Sequence, residues 1–130
     1  LTIDIFGDTT FAVLGKAMDV YSLRHRVAAN NIANVNTPGF KRSHVPFEAE
    51  LREAIDSGER DEGKLLRALD RMEVAAEVDY LTESREDGNN VDIEQEIAEM
   101  TKNQIRYTAA GSILKTKLSM YRFVISEGRR

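Results

Sequence analysis

No cysteine occurs in the sequence, which excludes a disulfide framework and thiolate metal sites. Tryptophan is absent too, and only two histidines are present. His25 falls on the apolar seam of a predicted helix, where a packed imidazole is expected, and His44 has no second ligand at metal spacing. An excess of positive charge is also missing. At a net charge of −4, with Lys41-Arg42 and Arg129-Arg130 as isolated basic pairs, the chain has no footprint for nucleic acid. The longest early apolar run is Phe11-Ala12-Val13-Leu14, with no basic segment ahead of it, so neither a cleavable signal peptide nor a membrane span is expected. A Gly-rich phosphate loop and a motif-placed nucleophile with its base are lacking, and Asp56–Gly63 and Asp87–Ala98 both fail the ligand order of a calcium loop. The expected chain is not an enzyme and carries no cofactor.

What is present is helical periodicity. Apolar positions recur at Leu14, Met18, Tyr21, His25, Ala28, Ile32 and Val35, alternating four and three residues apart. A parallel line runs through Val13, Ala17, Val20, Arg24 and Val27 and continues into Asn31 and Asn34. Together they predict one amphipathic helix from about Thr10 to Val35, roughly 40 Å long, with Asp8 or Thr9 able to cap its start. The last third repeats the pattern more strictly, through Ile93, Ile97, Met100, Gln104, Tyr107, Gly111, Leu114, Leu118, Tyr121 and Ile125. That is a coiled-coil-grade seam, widened by Ala110, Ile113, Met120 and Val124. Asp92 with Gln95 reads as a capping box, Glu94 and Glu96 suit the positive helix start, and Gly128 suits its stop. Gly111, beside Ala109 and Ala110, is expected to permit close helix approach.

Between them the texture changes. Phe47–Ile55 predicts a short helix ended by Gly58, and Leu65, Leu66, Leu69 and Met72 predict another. Asp79–Asn90 is acidic and turn-like. The organisation expected is therefore 1–42 for the first helix and its turn, 43–91 for a variable middle, and 92–130 for the second helix, the two ends forming one domain. The fold class is all-α, with two long terminal helices paired as an antiparallel coiled coil and a short, partly irregular middle.

One stretch resists a purely helical reading. Residues 29–42, ANNIANVNTPGFKR, place Asn30, Asn31, Asn34 and Asn36 just before Thr37-Pro38-Gly39. An Asn costs up to roughly 0.7 kcal/mol against Ala inside a helix, so three of them need an offset. Amides on a seam can fix register and partner choice; a frayed, solvated helix end is the alternative. Pro38 ends the helix, and Pro38-Gly39 fits the centre of a type II turn, with Phe40 as the anchor that follows.

Asn31-Ile32-Ala33-Asn34-Val35-Asn36-Thr37-Pro38-Gly39-Phe40 resembles the signature that ends the N-terminal helix in the axial proteins of the bacterial flagellar rod and hook. Gly88-Asn-Asn-Val91-Asp92, with Glu96, Met100 and Asn103 downstream, resembles the start of their C-terminal helix, most closely in proteins of the proximal rod. The resemblance covers roughly residues 18–47 and 86–125. It implies a structural subunit of the proximal rod that self-assembles with other axial proteins and transmits torque for motility. Its implied partners are other rod subunits, the rod-base adaptor, the MS-ring protein and the flagellar export apparatus. It also implies a place in the basal body, across the periplasm, reached without a cleaved signal. Another rod subunit of the same family, or a soluble coiled-coil adaptor or chaperone, is the alternative. In such an assembly Asn31 and Asn34 would face neighbouring subunits or a turning backbone. Leu14, Met18, Tyr21, Ile32, Ile97, Tyr107, Gly111, Leu114 and Leu118 are the expected packed seam.

Overall fold

The computed structural model describes residues 8–57 and 61–127. Six elements follow in order: α1 (Asp8–Ala33), β1 (Ser43–His44), α2 (Glu48–Ser57), α3 (Glu62–Arg71), β2 (Glu77–Val78) and α4 (Ile93–Glu127). The chain is mostly helical, with its two long helices toward the two ends. Both predicted short helices are present as α2 and α3. Gly58 and Gly128, expected as helix stops, lie outside the described residues.

Each boundary has a local cause. The Asp92 carboxylate accepts from the Glu94 and Gln95 amides at 2.9 and 3.2 Å and starts α4. Asp61 does the same for α3, accepting from Lys64 N at 3.1 Å. At the end of α1, Phe40 N donates to Thr37 O at 3.2 Å and Gly39 sits at φ 74°, the type II turn expected of Pro38-Gly39.

α1 is the central layer. On one side Ala17 and Val20 pack with Val45 and Phe47, while Val13 meets the α2–α3 pair, whose own core is Ala54, Leu65 and Leu69. On the other side α1 meets α4, in reverse order along the two helices: Asn31 with Glu96, Tyr21 with Asn103, Met18 with Gly111, Phe11 with Tyr121. Among the described elements α4 packs along α1 alone, although Arg106 reaches Glu48 of α2 at 3.8 Å. The middle segment therefore covers α1 and leaves the outer surface of α4 bare.

The face that α4 buries is not the line read from its periodicity. Glu96, Asn103, Ala110 and Lys117, seven residues apart, are its buried residues. Of the expected seam, Met100, Gly111, Leu114 and Tyr121 are half-buried, whereas Ile93, Ile97, Tyr107, Leu118 and Ile125 are exposed. On α1 the line through Ala17, Val20 and Asn31 is buried together with Ala28, and Leu14, Met18, Tyr21 and Ile32 are half-buried beside it. Within the chain, Gly111 is not a point of close helix approach. A Cβ there would come within 4 Å only of Met18 Cε, at 3.8 Å, an ordinary contact. Pairing within the chain does not need a glycine at that position.

Two elements escaped the sequence reading. β1 and β2 pair antiparallel, Ser43 opposite Val78 and His44 opposite Glu77. Strands of two residues are too short to show an alternating pattern.

A polar latch and a bare helix face

The asparagines at the end of α1 are used inside the chain. Asn31 is completely buried. Its Oδ1 accepts from Ser43 N at 2.9 Å, and its Nδ2 donates to Ser43 O at 2.8 Å, pairing with that residue as a neighbouring strand would. The same Nδ2 donates to Glu96 Oε2 at 3.1 Å, so one amide joins α1, β1 and α4. Glu96 is itself only 2% exposed, and its other oxygen accepts from Arg42 Nε at 2.8 Å. A carboxylate that deep is tolerated because both oxygens have donors, one of them a guanidinium.

Arg42 extends the latch. Its N–H donates to Asn90 Oδ1 at 2.7 Å, its carbonyl accepts from Asp79 N at 2.8 Å, and its guanidinium reaches Asp79 Oδ2 at 3.4 Å. Asn90 Nδ2 closes the loop on Asp79 O at 2.8 Å. Asp79 also accepts from the Thr82 hydroxyl and from the Thr82 and Leu81 amides, which holds its carboxyl at about 2, well under the usual range.

Asn89 solves a different problem, the carbonyls left open where α1 stops. It is fully buried, and its Nδ2 donates to Asn34 O, Val35 O and Thr37 O at 2.9, 3.2 and 2.8 Å. Its Oδ1 accepts from Val91 N at 2.7 Å. Arg85 Nη2 adds a second donor to Val35 O, and Gly39 N donates to Asp87 O. Gly88, at φ 80°, lets the chain pass Gly39 so closely that a Cβ on Gly88 would lie 3.4 Å from Gly39 Cα. The two motif stretches, far apart in sequence, are thus one structure.

Of the expected motif residues, Asn31, Val91 and Glu96 are buried, and Ile32, Asn34, Phe40, Gly88 and Met100 are half-buried. Ala33, Asn36, Thr37, Pro38, Gly39 and Asp92 are exposed. Asn34 turns back on its own helix, with Nδ2 donating to Asn30 O at 2.9 Å and Oδ1 accepting from Thr37 Oγ1. Sequence reasoning gave no role to Arg42, Ser43 or Asp79, and held Asn89 and Asn90 only as part of the quoted motif. The Asn89-Asn90 pair was the available signal: two amides at a turn, like the asparagines of α1, mark backbone groups in need of partners.

Beside the latch lies a cleft of about 400 Å³ where Arg24, Arg42 and Arg106 face Glu48, Glu96 and Glu99. Its charges are paired, Arg24 and Arg106 with Glu48 and Arg42 with Glu96, while Glu99 pairs with Lys102 outside the cleft. Arg24 holds Glu48 through two bonds of 2.7 and 2.6 Å, which brings the Glu48 carboxyl to about 2 and raises the guanidinium further. Among the described residues no His, Cys, Asp and Glu grouping could hold a metal ion.

The remaining feature is the outside of α4. Ile97, Ile105, Ile113, Leu118, Phe123, Val124 and Ile125 are all about half exposed or more. They surround the helix instead of lining one stripe, the pattern of a helix meant to be enclosed on several sides. No described helix is long and apolar enough to cross a membrane.

A family profile described as "Flagella basal body rod protein" matches residues 14–41, from the second turn of α1 through the Thr-Pro-Gly turn. The "Flagellar basal body rod protein FlgB" of Borrelia hermsii is 42% identical over 70% of this chain and 76% of its own length. The chain belongs to the FlgB family of flagellar basal body rod proteins. FlgB of Aeromonas hydrophila is 32% identical over 86% of this chain and 89% of the relative, and FlgB of Bacillus subtilis 29% identical over 92% and 95%. The FlgB family is structural and not enzymatic, and the chain is accordingly a structural subunit of the basal body rod. In this FlgB relative, Asn31 and the turn fall inside the matched profile, whereas Asn89 and Glu96, which complete the latch, fall beyond it.

Proposed function

We propose that the chain builds the proximal rod, the first part of the flagellar drive shaft, and transmits torque through a packed wall of helices. α1 and α4 act as an antiparallel coiled coil, and the terminal segments 1–42 and 92–130 work as one unit. Segment 43–91 locks the coil at the latch and shields α1. The observation that carries this reading is the bare apolar surface of α4, from Ile97 to Ile125, which no described part of the chain covers. Apolar area of that extent favours enclosure by neighbours. The neighbours proposed are other rod subunits, with the rod-base adaptor and the MS-ring protein beneath, and the export apparatus as the route to the periplasm without a cleaved signal.

The test uses Ile97→Asp and Leu118→Asp. Both positions are exposed, so the purified chain keeps its helix content by circular dichroism. Cells carrying either variant export the protein but build no rod beyond the ring and do not swim. Normal rods and swimming with both variants would overturn the assembly role of this face.

A further inference from the structure

We propose that two copies of this chain meet head to tail, the Tyr80-Leu81 turn of one seated in an apolar groove on the C-terminal half of α4 of the next. This contact rests on the assembly reading above and specifies its geometry.

The turn is an unusual surface feature. Tyr80 is 76% and Leu81 98% exposed, adjacent in sequence, and yet their backbone is fixed. Asp79 Oδ1 accepts from Leu81 N and Thr82 N at 2.9 and 3.0 Å, and Asp79 itself is bound on both sides, to Arg42 and Asn90. Two large apolar groups are thus held out to water by a pre-formed scaffold, so little ordering remains to be done on binding.

The groove is shallow and open to solvent, formed by the exposed side chains of Thr116, Ser119, Met120, Phe123 and Val124 along one face of α4. Its owner cannot fill it with its own turn. Arg42 and Asp79 tie the turn to Glu96 in the first part of α4, and Met120 lies roughly 35 Å further along the helix.

Charge selects a second copy as the occupant. The segment 77–87 carries Glu77, Asp79, Glu83, Glu86 and Asp87 against the single Arg85. The segment 112–126, which holds the groove, carries Lys115 and Arg122 at its surface and no carboxylate, Lys117 being buried against the Phe11 ring. An acidic apolar knob at one pole and a basic apolar groove at the other are complementary, and one patch meeting a different patch extends without closing unless the rotation returns on itself. A rod needs such a contact.

Cysteine cross-linking tests it, because the chain has no thiol of its own. Leu81→Cys and Phe123→Cys each place one at an exposed position, so neither removes a buried contact. Docking makes thiol pairing effectively intramolecular, so a mixture of the two full-length variants under mild oxidation forms disulfide dimers about tenfold faster than either alone. Adding Arg122→Glu to the Phe123→Cys chain, or raising salt, slows the mixed reaction. The contact is overturned if Phe123→Cys alone dimerises as fast as the mixture, which would mean helix-to-helix packing of like faces. It is equally overturned if the mixture reacts no faster than the two variants alone. Neither result bears on whether Ile97→Asp and Leu118→Asp block the rod, so failure of the contact and failure of the assembly reading are told apart.

Discussion

Asn31 and Glu96, 65 residues apart in sequence, share a buried hydrogen bond of 3.1 Å that joins the end of α1 to the start of α4. The asparagine at once completes the polar contacts of Ser43, whose backbone would otherwise end a strand without a partner. The helix-propensity cost of Asn31 is therefore offset inside the chain, by the turning backbone that follows the helix.

Replacing Asn31 with Ala leaves the Ser43 amide and carbonyl and one oxygen of Glu96 without partners in a dry site. Each such group costs about 1–3 kcal/mol, so Asn31→Ala loses on the order of 3 kcal/mol. Asn31→Asp keeps the acceptor but sets a second carboxylate beside Glu96, and loses more at neutral pH. Urea unfolding of the purified chain measures both. A loss under about 0.5 kcal/mol for Asn31→Ala would show that the latch contributes nothing.

Asn89 caps α1 from the far side of the fold. Asn89→Asp preserves shape and the acceptor for Val91 N, but turns an oxygen toward the carbonyls of Asn34, Val35 and Thr37. It is expected to destabilise more than Asn89→Ala, which costs about 1–3 kcal/mol. Hydrogen exchange localises the effect: the Gly39 and Asn90 amides, which bond to Asp87 and Phe40, exchange faster, while the α2–α3 core is unchanged. Equal stability of the two variants would remove Asn89 from the capping role.

Acid weakens the fold through Glu48. Its folded carboxyl titrates at about 2 against an ordinary 4.5, because Arg24 bonds to the charged form. A depressed folded value means stability that is present above pH 4.5 and lost as pH falls toward 2. The Glu48 side chain is 63% exposed, so water screens the pair to no more than about 1 kcal/mol. Glu48→Gln is therefore slightly less stable at pH 7, and the gap from the parent chain closes by about pH 2. A gap that stays constant with pH would assign the effect to packing.

Much of this architecture is legible in the sequence. Asp92 announces the start of α4, Pro38-Gly39 the turn after α1, and the heptad spacing both long helices. The buried face of α4 was not legible, for a physical reason. Glu96, Asn103 and Lys117 are buried because Asn31 and Arg42, the Tyr21 carbonyl and the Phe11 ring receive them. Those partners lie far off in sequence, and periodicity carries no trace of them. Apolar spacing reports every surface a helix will bury, including surfaces covered by other chains, so Ile97 and Leu118 outweighed the polar line that faces α1. Asn89 and Arg42 were hidden because a side chain that serves a remote backbone looks like any polar residue in a turn.

Gly111 separates folding from assembly. A methyl group there meets only Met18 Cε at 3.8 Å, and Gly is about 1 kcal/mol poorer than Ala in a helix interior. Gly111→Ala is therefore expected to raise the chain's own stability by about 0.5–1 kcal/mol. Gly111 lies on the line of Ile97 and Leu118, at the margin of the bare face. If neighbouring subunits approach that margin closely, Gly111→Leu reduces rod formation while the purified chain remains folded. Unfolding experiments combined with rod counts in the same strains check both halves.

Lys117 is the residue whose burial is hardest to account for by stability alone. It is 4% exposed, its Nζ lacks a hydrogen-bond partner among the described residues, and its nearest compensation is the Phe11 ring, 4.8 Å from the ammonium. A cation over an aromatic face gains about 2 kcal/mol when desolvated, less than the several kcal/mol of removing an ammonium from water. Methionine fills the same space without the charge, so Lys117→Met is expected to raise the unfolding free energy by about 1–2 kcal/mol. Phe11→Leu, which removes the ring and leaves the charge, lowers it. The two changes are not additive, because Lys117→Met abolishes the loss that Phe11→Leu would otherwise cause through the cation. Denaturant unfolding of the four chains of that double-mutant cycle measures the coupling directly. A destabilised Lys117→Met would mean that the ammonium finds better company in the folded chain than the ring alone provides.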